Sequence, residues 1–572
     1  MVVNFVINDN TDGGEIIQED IYDGTFHSQR LERNHQYDLE ITGDDTGVVH
    51  LNNDILNANI THENVTTNVS DWSYLSHAAG EGINSLTMNS GVMNIPYLTT
   101  EPVTLSSFNM NGGTINLDRV DVDLKGETMG RFLADDYSGG GGTINVNSLN
   151  LLSFTDRIKT QILFADPAFA STVQYNGASP LAYSPVYVYD VSYDQLANGG
   201  HFTFVRHGIG DDSGSFNPAV LASPITNEAA AMSTINHTFE YAFEHSDVFM
   251  NLPEFERFAQ ITGNRYALST DFNDNIDQVL YMEQNKGVWV KPYTAFESIP
   301  LRHGPKVDSI SYGTLIGGDT NLRQLANGWT NVGTLYIGYN GSQLDYAGVD
   351  TTTNGGLLGL TETFYKNNFF TAITATAGAG FAESHTMYGK EDTTFLMSGI
   401  ASKTGYNIEF KNGKYILQPL LIANYSNVKV FDYTNAAGVD IKSDMAHNVQ
   451  LVPTLKFIGN FENGWQPYAS VGMVWNILHE SNARANGIKL PEMYTKPYVQ
   501  YGLGLQRRWG DKFTAYGQAM VRNGGRNGVA LTAGFRWALG KDETKDENEK
   551  NVKHNETAKK TVIKKYTREK TL

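Results

Sequence analysis

The chain contains no cysteine. Disulfides, thiol catalysis and Cys-ligated zinc are therefore excluded. A chain that must stay unfolded in transit also benefits from having no thiols. No run of about 18 apolar residues occurs. That excludes a transmembrane helix, but not a β-barrel, whose spans need only about 10 residues of alternating character. Positive charge is scarce: 42 Lys and Arg stand against 62 Asp and Glu, a net charge of -20. That balance argues against nucleic acid as a partner. The opening "MVVNFVINDNTDGG" has neither the basic stretch nor the apolar core of a signal peptide. If exported, a chain with this start is expected to be a fragment or to begin further upstream.

At 572 residues the chain is too long for one ordinary core, so several parts are expected. Residues 1–222 are rich in Asn, Thr, Gly and Asp. Four phrases there share one plan: "HLNNDILNANI" from His50, "SLTMNSGVMNI" from Ser85, "SFNMNGGTINL" from Ser107 and "GGGGTINVNSLNLL" from Gly139. Each alternates apolar and polar residues, turns at Gly or Asn, then alternates again. Such units read as rungs of a parallel β-helix, each unable to bury its face alone. A β-sandwich is the alternative. Residues 223–286 change character. "NEAAAMSTINHTFEYAFEH" places Met232, Ile235, Phe239 and Phe243 at helical spacing. "LPEFERFAQITG" adds a second helical stretch opened by Pro253 and closed by Gly263.

Residues 287–540 read as about twelve strands of membrane-barrel length. In the last, "GVALTAGFRWAL", Val529, Leu531, Ala533, Phe535, Trp537 and Leu539 share one face, and Gly534 and Arg536 lie on the other. In the tenth, Val499, Tyr501, Leu503 and Leu505 oppose Gln500, Gly502, Gly504 and Gln506. Connections after even strands are tight ("KNN", "KNGK", "ENG", "GDK"), apart from the longer one after the second. Those after odd strands are long and polar, apart from the short "NGGRN". Loop length that follows strand parity is the pattern of an outer-membrane barrel, with short turns periplasmic and long loops outside. Trp289, Phe296, Trp465, Trp509 and Trp537 are expected at the membrane interfaces. The eleventh strand, with Tyr516 and Ala519 on opposite parities, is ambiguous.

These residues resemble the translocator region of monomeric autotransporters, the type V secretion proteins. "GVWVKPY" looks like that family's first strand, and "GLGLQRRWGDKFTAYGQA" with "NGVALTAGFRWAL" is similar to its last three. "YDVSYDQLANGGHFTFVRHG" looks like the end of a passenger. The resemblance covers roughly Ser85 to Gly540, and the order of parts carries it. It implies an all-β protein: a β-helix-like passenger (1–222), a helical linker or plug (223–286) and a twelve-stranded antiparallel outer-membrane barrel (287–540). The closing Gly534, Phe535, Trp537 and Leu539 resemble the barrel assembly signal. Gln506, Arg508 and Arg536 would face the lumen and meet the plug. The family normally ends at the last strand, whereas here a charged tail (541–572) follows; its composition cannot build a core.

The resemblance further implies outer-membrane lipids, the barrel-assembly machinery and periplasmic chaperones as partners. It implies an unidentified surface ligand for an adhesive passenger at the cell surface, and a periplasmic tail. No cofactor, metal or catalytic residue is expected. "GDDSGSF" at Gly210 is similar to the surroundings of a serine nucleophile. An extra Asp breaks the spacing, and no room exists for the fold that would hold a triad. His303, His385, His447 and His479 are expected to be solvated loop residues, two of them beside Glu383 and Glu480. "ITGDDTG" and "DDYSGGGG" lack a calcium-binding repeat and read as turns. "NVT" at Asn64 and "NVS" at Asn68 match glycosylation sequons, which mean little in a bacterial chain. A porin or anchor with a soluble extension, and a β-helical enzyme acting on polysaccharide, are the competing readings.

Overall fold

The computed structural model describes residues 3–9, 25–26, 37–43, 48–51, 58–69, 84–177, 179–208, 214–251, 286–300, 306–320, 323–325, 328–461, 464–491, 496–509 and 513–539. Two units emerge, residues 1–217 and 218–572. The second helical stretch expected after Pro253, the Asp pair of "GDDSGSF", His303 and the charged tail lie outside the described residues.

The first unit is a parallel β-solenoid. Successive strands alternate between two sheets. Ser85–Met88, Val103–Met110 and Phe132–Gly139 belong to one; Val92–Leu98, Thr114–Asp123 and Thr143–Val146 belong to the other. The phrases from Ser85, Ser107 and Gly139 each straddle a corner between the two sheets. Gly91 and Gly113 occupy successive corners with φ of 81° and 76°. There a Cβ would both strain the backbone and strike the coil below, at 2.3 Å from the Val65 carbonyl and 2.9 Å from that of Gly91. Alternation sends Leu86, Met88, Met93, Ile95, Phe108, Met110, Ile115 and Leu117 inward, where all are buried. Phe108 stacks on Phe132 of the next coil, ring centroids 5.0 Å apart. Each such side chain contributes roughly 1.5–3 kcal/mol.

Outside, the recurring Asn of "MNI", "TIN" and "INV" builds a ladder. Asn94 donates to Asn68 at 2.7 Å, Asn116 to Asn94 at 2.8 Å and Asn145 to Asn116 at 2.8 Å. The sequence separations of 26, 22 and 29 residues show why the repeat looked irregular. Coil length varies in the turns, while the strands stay in register. Past Val173–Tyr175 the rungs stop. The unit also holds an antiparallel sheet of Lys159–Ala165, Gly199–Arg206, Val188–Leu196 and Leu181–Tyr183, whose first strand precedes that last rung in the chain. Phe202 of this sheet meets Tyr175 edge-on at 5.4 Å, which closes the open end of the core.

Among the described residues, His62 and Thr67 both place polar side chains inside the solenoid. His62 Nε2 lies 2.9 Å from Thr67 Oγ1, and Nδ1 lies 2.9 Å from the Ser90 carbonyl. Burial holds its pKa below the usual 6.5, opposed by the Ser90 bond. Below pH 6.5 the unfolded chain binds a proton that the folded coil refuses. Stability of these coils is therefore complete above pH 6.5 and falls as pH drops toward the folded pKa. The slope is at most about 1.4 kcal/mol per pH unit. Proteolysis within residues 58–110 is expected to accelerate between pH 7.5 and 5.5. His62→Gln should flatten that difference; an unchanged pH profile in the variant would remove His62 as its source.

The second unit is a closed barrel of twelve antiparallel strands. In order they are Gly287–Ile299, Val307–Asp319, Thr330–Tyr346, Val349–Lys366, Phe369–Thr386, Gly389–Tyr406, Tyr415–Val430, Ala446–Gly459, Trp465–Glu480, Tyr498–Trp509, Phe513–Gly524 and Asn527–Ala538. First and last pair antiparallel, from Gly287 opposite Ala538 to Ser298 opposite Asn527, so no edge remains. Two of the polar connections expected as long loops are instead zipped into strand. The third and fourth strands join through Ala347-Gly348, both at positive φ, and the fifth and sixth through Met387-Tyr388. Their Thr-rich polar stretches alternate as well as apolar ones do, so the ladder runs on past any membrane boundary. At the same rim, Asp440–Ser443 pairs with Ala483–Ala485 to tie two loops into a small sheet.

Outward positions form an apolar belt that includes Ile337, Leu358, Val471 and Leu503, the last 70% exposed. Trp465, Trp509 and Trp537 lie in it at the short-turn end, with the Arg507 guanidinium 4.5 Å and 4.7 Å from the first two rings. Trp289 departs from the expectation: it is 2% exposed and points into the lumen. Its neighbour Lys291 shares its parity, and a buried cation fixes which face of that strand is inward. In the eleventh strand Thr514, Tyr516, Met520 and Arg522 point inward and Ala519 outward, which resolves the ambiguity.

Candidate functional site

The lumen is filled by a 33-residue helix, Pro218–Met250, about 50 Å long at 1.5 Å per residue. Its sequence is small and polar along much of its length (Ala, Ser, Thr), with aromatic residues concentrated at Phe239, Tyr241 and Phe243. Enclosure by a wall on every side removes the need for one apolar stripe. Thr226, Thr238 and Ser246 return their hydroxyls to carbonyls three or four residues back, at 2.7–2.8 Å. The aromatic segment packs on Trp289, Tyr293, Tyr336 and Phe395. Tyr241 meets Tyr293 at 4.6 Å, and His245 stacks on Trp289 at 4.3 Å.

The helix runs between the two rims. At its start, Ser223 donates to Glu391 (2.9 Å), Asn227 donates to Thr393 (2.7 Å) and the Thr226 hydroxyl lies 3.0 Å from that of Thr351, all near the long-connection rim. At its end, the Met250 carbonyl accepts from Asn407 (2.8 Å) and that of Asn251 from Gln466 (3.0 Å), near the short turns. Between these, the helix acids meet wall cations. Glu240 pairs with Arg522 at 2.7 Å, Glu244 with Lys291, and Asp247 with Lys403 and with Lys456 at 2.6 Å. His237 Nε2 lies 2.8 Å from Arg522, and His245 Nε2 lies 2.8 Å from Asp319. Buried charges persist only when paired, and here each pair joins helix to wall.

Of the residues singled out in the sequence, Arg536 is fully buried and bonds Asp319 at 2.7 Å. It therefore reaches the helix through the Asp319–His245 contact. Gln506 is buried on the lumen side, and Arg508 is half-buried. Phe535, Trp537 and Leu539 face outward and Gly534 inward. His385 lies 3.0 Å from Glu383 and is exposed, and His447 lies 2.8 Å from the Tyr425 hydroxyl. His479 is no solvated loop residue: its side chain is 4% exposed, 3.4 Å from Glu228 of the helix. Ser481 donates to the same carboxylate at 2.5 Å. Hydroxyl and imidazole both address the acid, so the hydroxyl's hydrogen is held away from a base, unlike a catalytic triad. The lumenal Lys291, Lys403, Lys456 and Arg522 were missed. The signal was present: each is an ionisable residue inside an otherwise barrel-like strand.

A twelve-stranded barrel with an apolar belt, a charged lumen and a helix threaded through it defines an outer-membrane β-barrel of the plugged type. Residues 288–519 match the family described as autotransporter beta-domain. The chain thus carries an autotransporter β-domain over those residues, preceded in sequence by a β-helical region. Among solved structures, the beta domain of the Bordetella autotransporter Brka is 17% identical, covering 45% of this chain and 100% of that one, with a TM-score of 0.38. The transport unit of AIDA-I from Escherichia coli is 14% identical over 51% and 99%, TM-score 0.38. The translocator domain of NalP from Neisseria meningitidis is 12% identical over 54% and 98%, TM-score 0.38. No curated protein matches the chain. The translocator barrel itself is not a catalyst.

Proposed function

We propose that the barrel, residues 287–540, carries residues 1–222 to the cell surface, where this β-helical passenger serves adhesion or another surface interaction. The segment 223–286 then remains in the lumen as its plug, and the tail 541–572 stays periplasmic. The observation that carries this reading is the course of the helix. It begins at the long-connection rim and ends at the short-turn rim, so its first residues stand at the rim that faces outward in such barrels. A lumen crossed by bonded side chains also speaks against an open porin. Folding of the solenoid, coil on coil, supplies an outward bias without a nucleotide. Gly534, Phe535, Trp537 and Leu539 act as the assembly signal for the barrel-assembly machinery, with periplasmic chaperones holding the chain beforehand. Gln506, Arg508 and Arg536 act as lumenal supports for the plug. The passenger's partner is a surface ligand.

The test is topology on intact cells. The chain is fused to an export signal, tagged at both ends and treated with external protease. Loss of the N-terminal tag with retention of the C-terminal tag is expected. Protection of both tags would mean that the β-helix stays inside, and the display reading would fall.

A further inference from the structure

The helix Pro218–Met250 holds four acids, Glu228, Glu240, Glu244 and Asp247, and neither lysine nor arginine. The barrel around it is biased the other way. Its buried charges among the described residues include the cations Lys291, Lys403, Lys456, Arg522, Arg526 and Arg536. They are set against the acids Glu297, Asp319 and Glu391. Two of these wall acids are held by wall arginines. Glu297 pairs with Arg522 and with Arg526 at 3.4 Å, and Asp319 with Arg536 at 2.7 Å. The lysines differ. The carboxylates bonded to Lys291, Lys403 and Lys456 are those of Glu244 and Asp247, both on the helix.

The three lysines also lie at one level. Lys291 is the fifth residue of a strand that starts at the short-turn rim, and Lys403 and Lys456 each precede by three residues the end of a strand that finishes there. Remove the helix, and a lysine ring stands just inside that mouth. Rings of lysine or arginine select anions in pores.

We propose that, with the helix withdrawn, this lumen is an anion-selective conduit suited to the acidic chain that precedes the helix. The charge distribution along the sequence fits. Residues 1–217 hold 28 Asp and Glu against 8 Lys and Arg, which is the whole net charge of -20; residues 218–572 hold 34 of each. An acidic chain entering at the short-turn mouth meets complementary charge just inside it. With the helix in place, its acids occupy the same lysines and close the path. The cargo part rests on the display reading above, whereas the selectivity of the emptied lumen does not.

The experiment is single-channel recording of the full chain in planar bilayers across a KCl gradient. Two openings are compared: deletion of residues 223–250, with folding checked by the heat-dependent gel mobility of closed barrels, and the triple substitution Glu240→Gln, Glu244→Gln and Asp247→Asn in the undeleted chain. Either is expected to pass chloride over potassium by about threefold or more. Adding Lys291→Gln, Lys403→Gln and Lys456→Gln should bring the ratio to about one. Unselective or cation-selective currents would overturn the proposal, as would a ratio that ignores the lysines or silence from both openings. The topology result is read separately, so failed selectivity with an exposed N-terminal tag would sink the conduit's charge preference and leave display standing.

Discussion

Asp247→Ala is expected to free the end of the helix from the barrel and to cost about 3–5 kcal/mol of helix–wall stability. One carboxylate here serves two cations. Lys403 and Lys456 both bond it, the second at 2.6 Å, and all three side chains are buried. Losing the acid leaves two lysines facing each other with no carboxylate between them, so the penalty exceeds that of an ordinary surface pair. Lys456 keeps some compensation, 4.1 Å over the Tyr468 ring and 3.5 Å from Asn251. Water entering the loosened lumen offsets a further part, which sets the lower end of the range. The twelve-stranded ladder does not pass through Asp247. Heat-dependent mobility of the barrel should therefore change little, while protease cuts within 218–251 should rise by at least a hundredfold, as about 3 kcal/mol implies. Lys403→Met should cost much less, because Asp247 keeps its bond to Lys456. Equal protection of the helix in Asp247→Ala and the parent would show that the aromatic packing around Trp289, and not the charge pairs, holds it.

Much of the architecture was legible in the sequence because its signals are short-range and repeated. The faces of the tenth and twelfth strands follow from a period of two, and the solenoid corners from Gly and Asn between two alternating runs. What escaped depends on partners distant in sequence. Trp289 reads as an interface aromatic until one sees that Lys291, two residues on, must point the same way. The Thr-rich stretch before Gly355 reads as loop because it is polar, yet outside a membrane a polar ladder is as good a ladder as an apolar one. His479 reads as solvated because it borders a loop; only the position of Glu228, 251 residues earlier, buries it. The acids of the helix and the lysines of the wall are each visible separately, but their pairing is a tertiary fact.

Gly534→Val is expected to lower the amount of closed barrel roughly tenfold, in line with the about 1–3 kcal/mol that overpacking costs. Gly534 is the inward member of the closing "GFRW" phrase and lies opposite Tyr516 on the eleventh strand. The Tyr516 ring lies over it, so a Cβ would stand 2.1 Å from Cε2 and 2.4 Å from Cζ. The same arrangement recurs around the wall. Gly359 lies under Tyr336, Gly504 under Tyr468 and Gly317 under Trp289, each with a ring atom within 2.5 Å of the Cβ position. Aromatic cover of a strand glycine lets a large ring lie flat on the sheet, which keeps the lumen wide enough for a helix. Displacing Tyr516 would also disturb its contacts beyond the wall, 5.1 Å from the Lys291 ammonium and 3.4 Å from His245. The cause is therefore steric, and it makes a second prediction: Tyr516→Ala in the same chain should return most of the closed barrel. Phe535→Ala and Trp537→Ala remove outward apolar surface, so the same second-site change should not rescue them. If Tyr516→Ala fails to relieve Gly534→Val, the glycine acts in recognition by the assembly machinery and not as a seat for the ring.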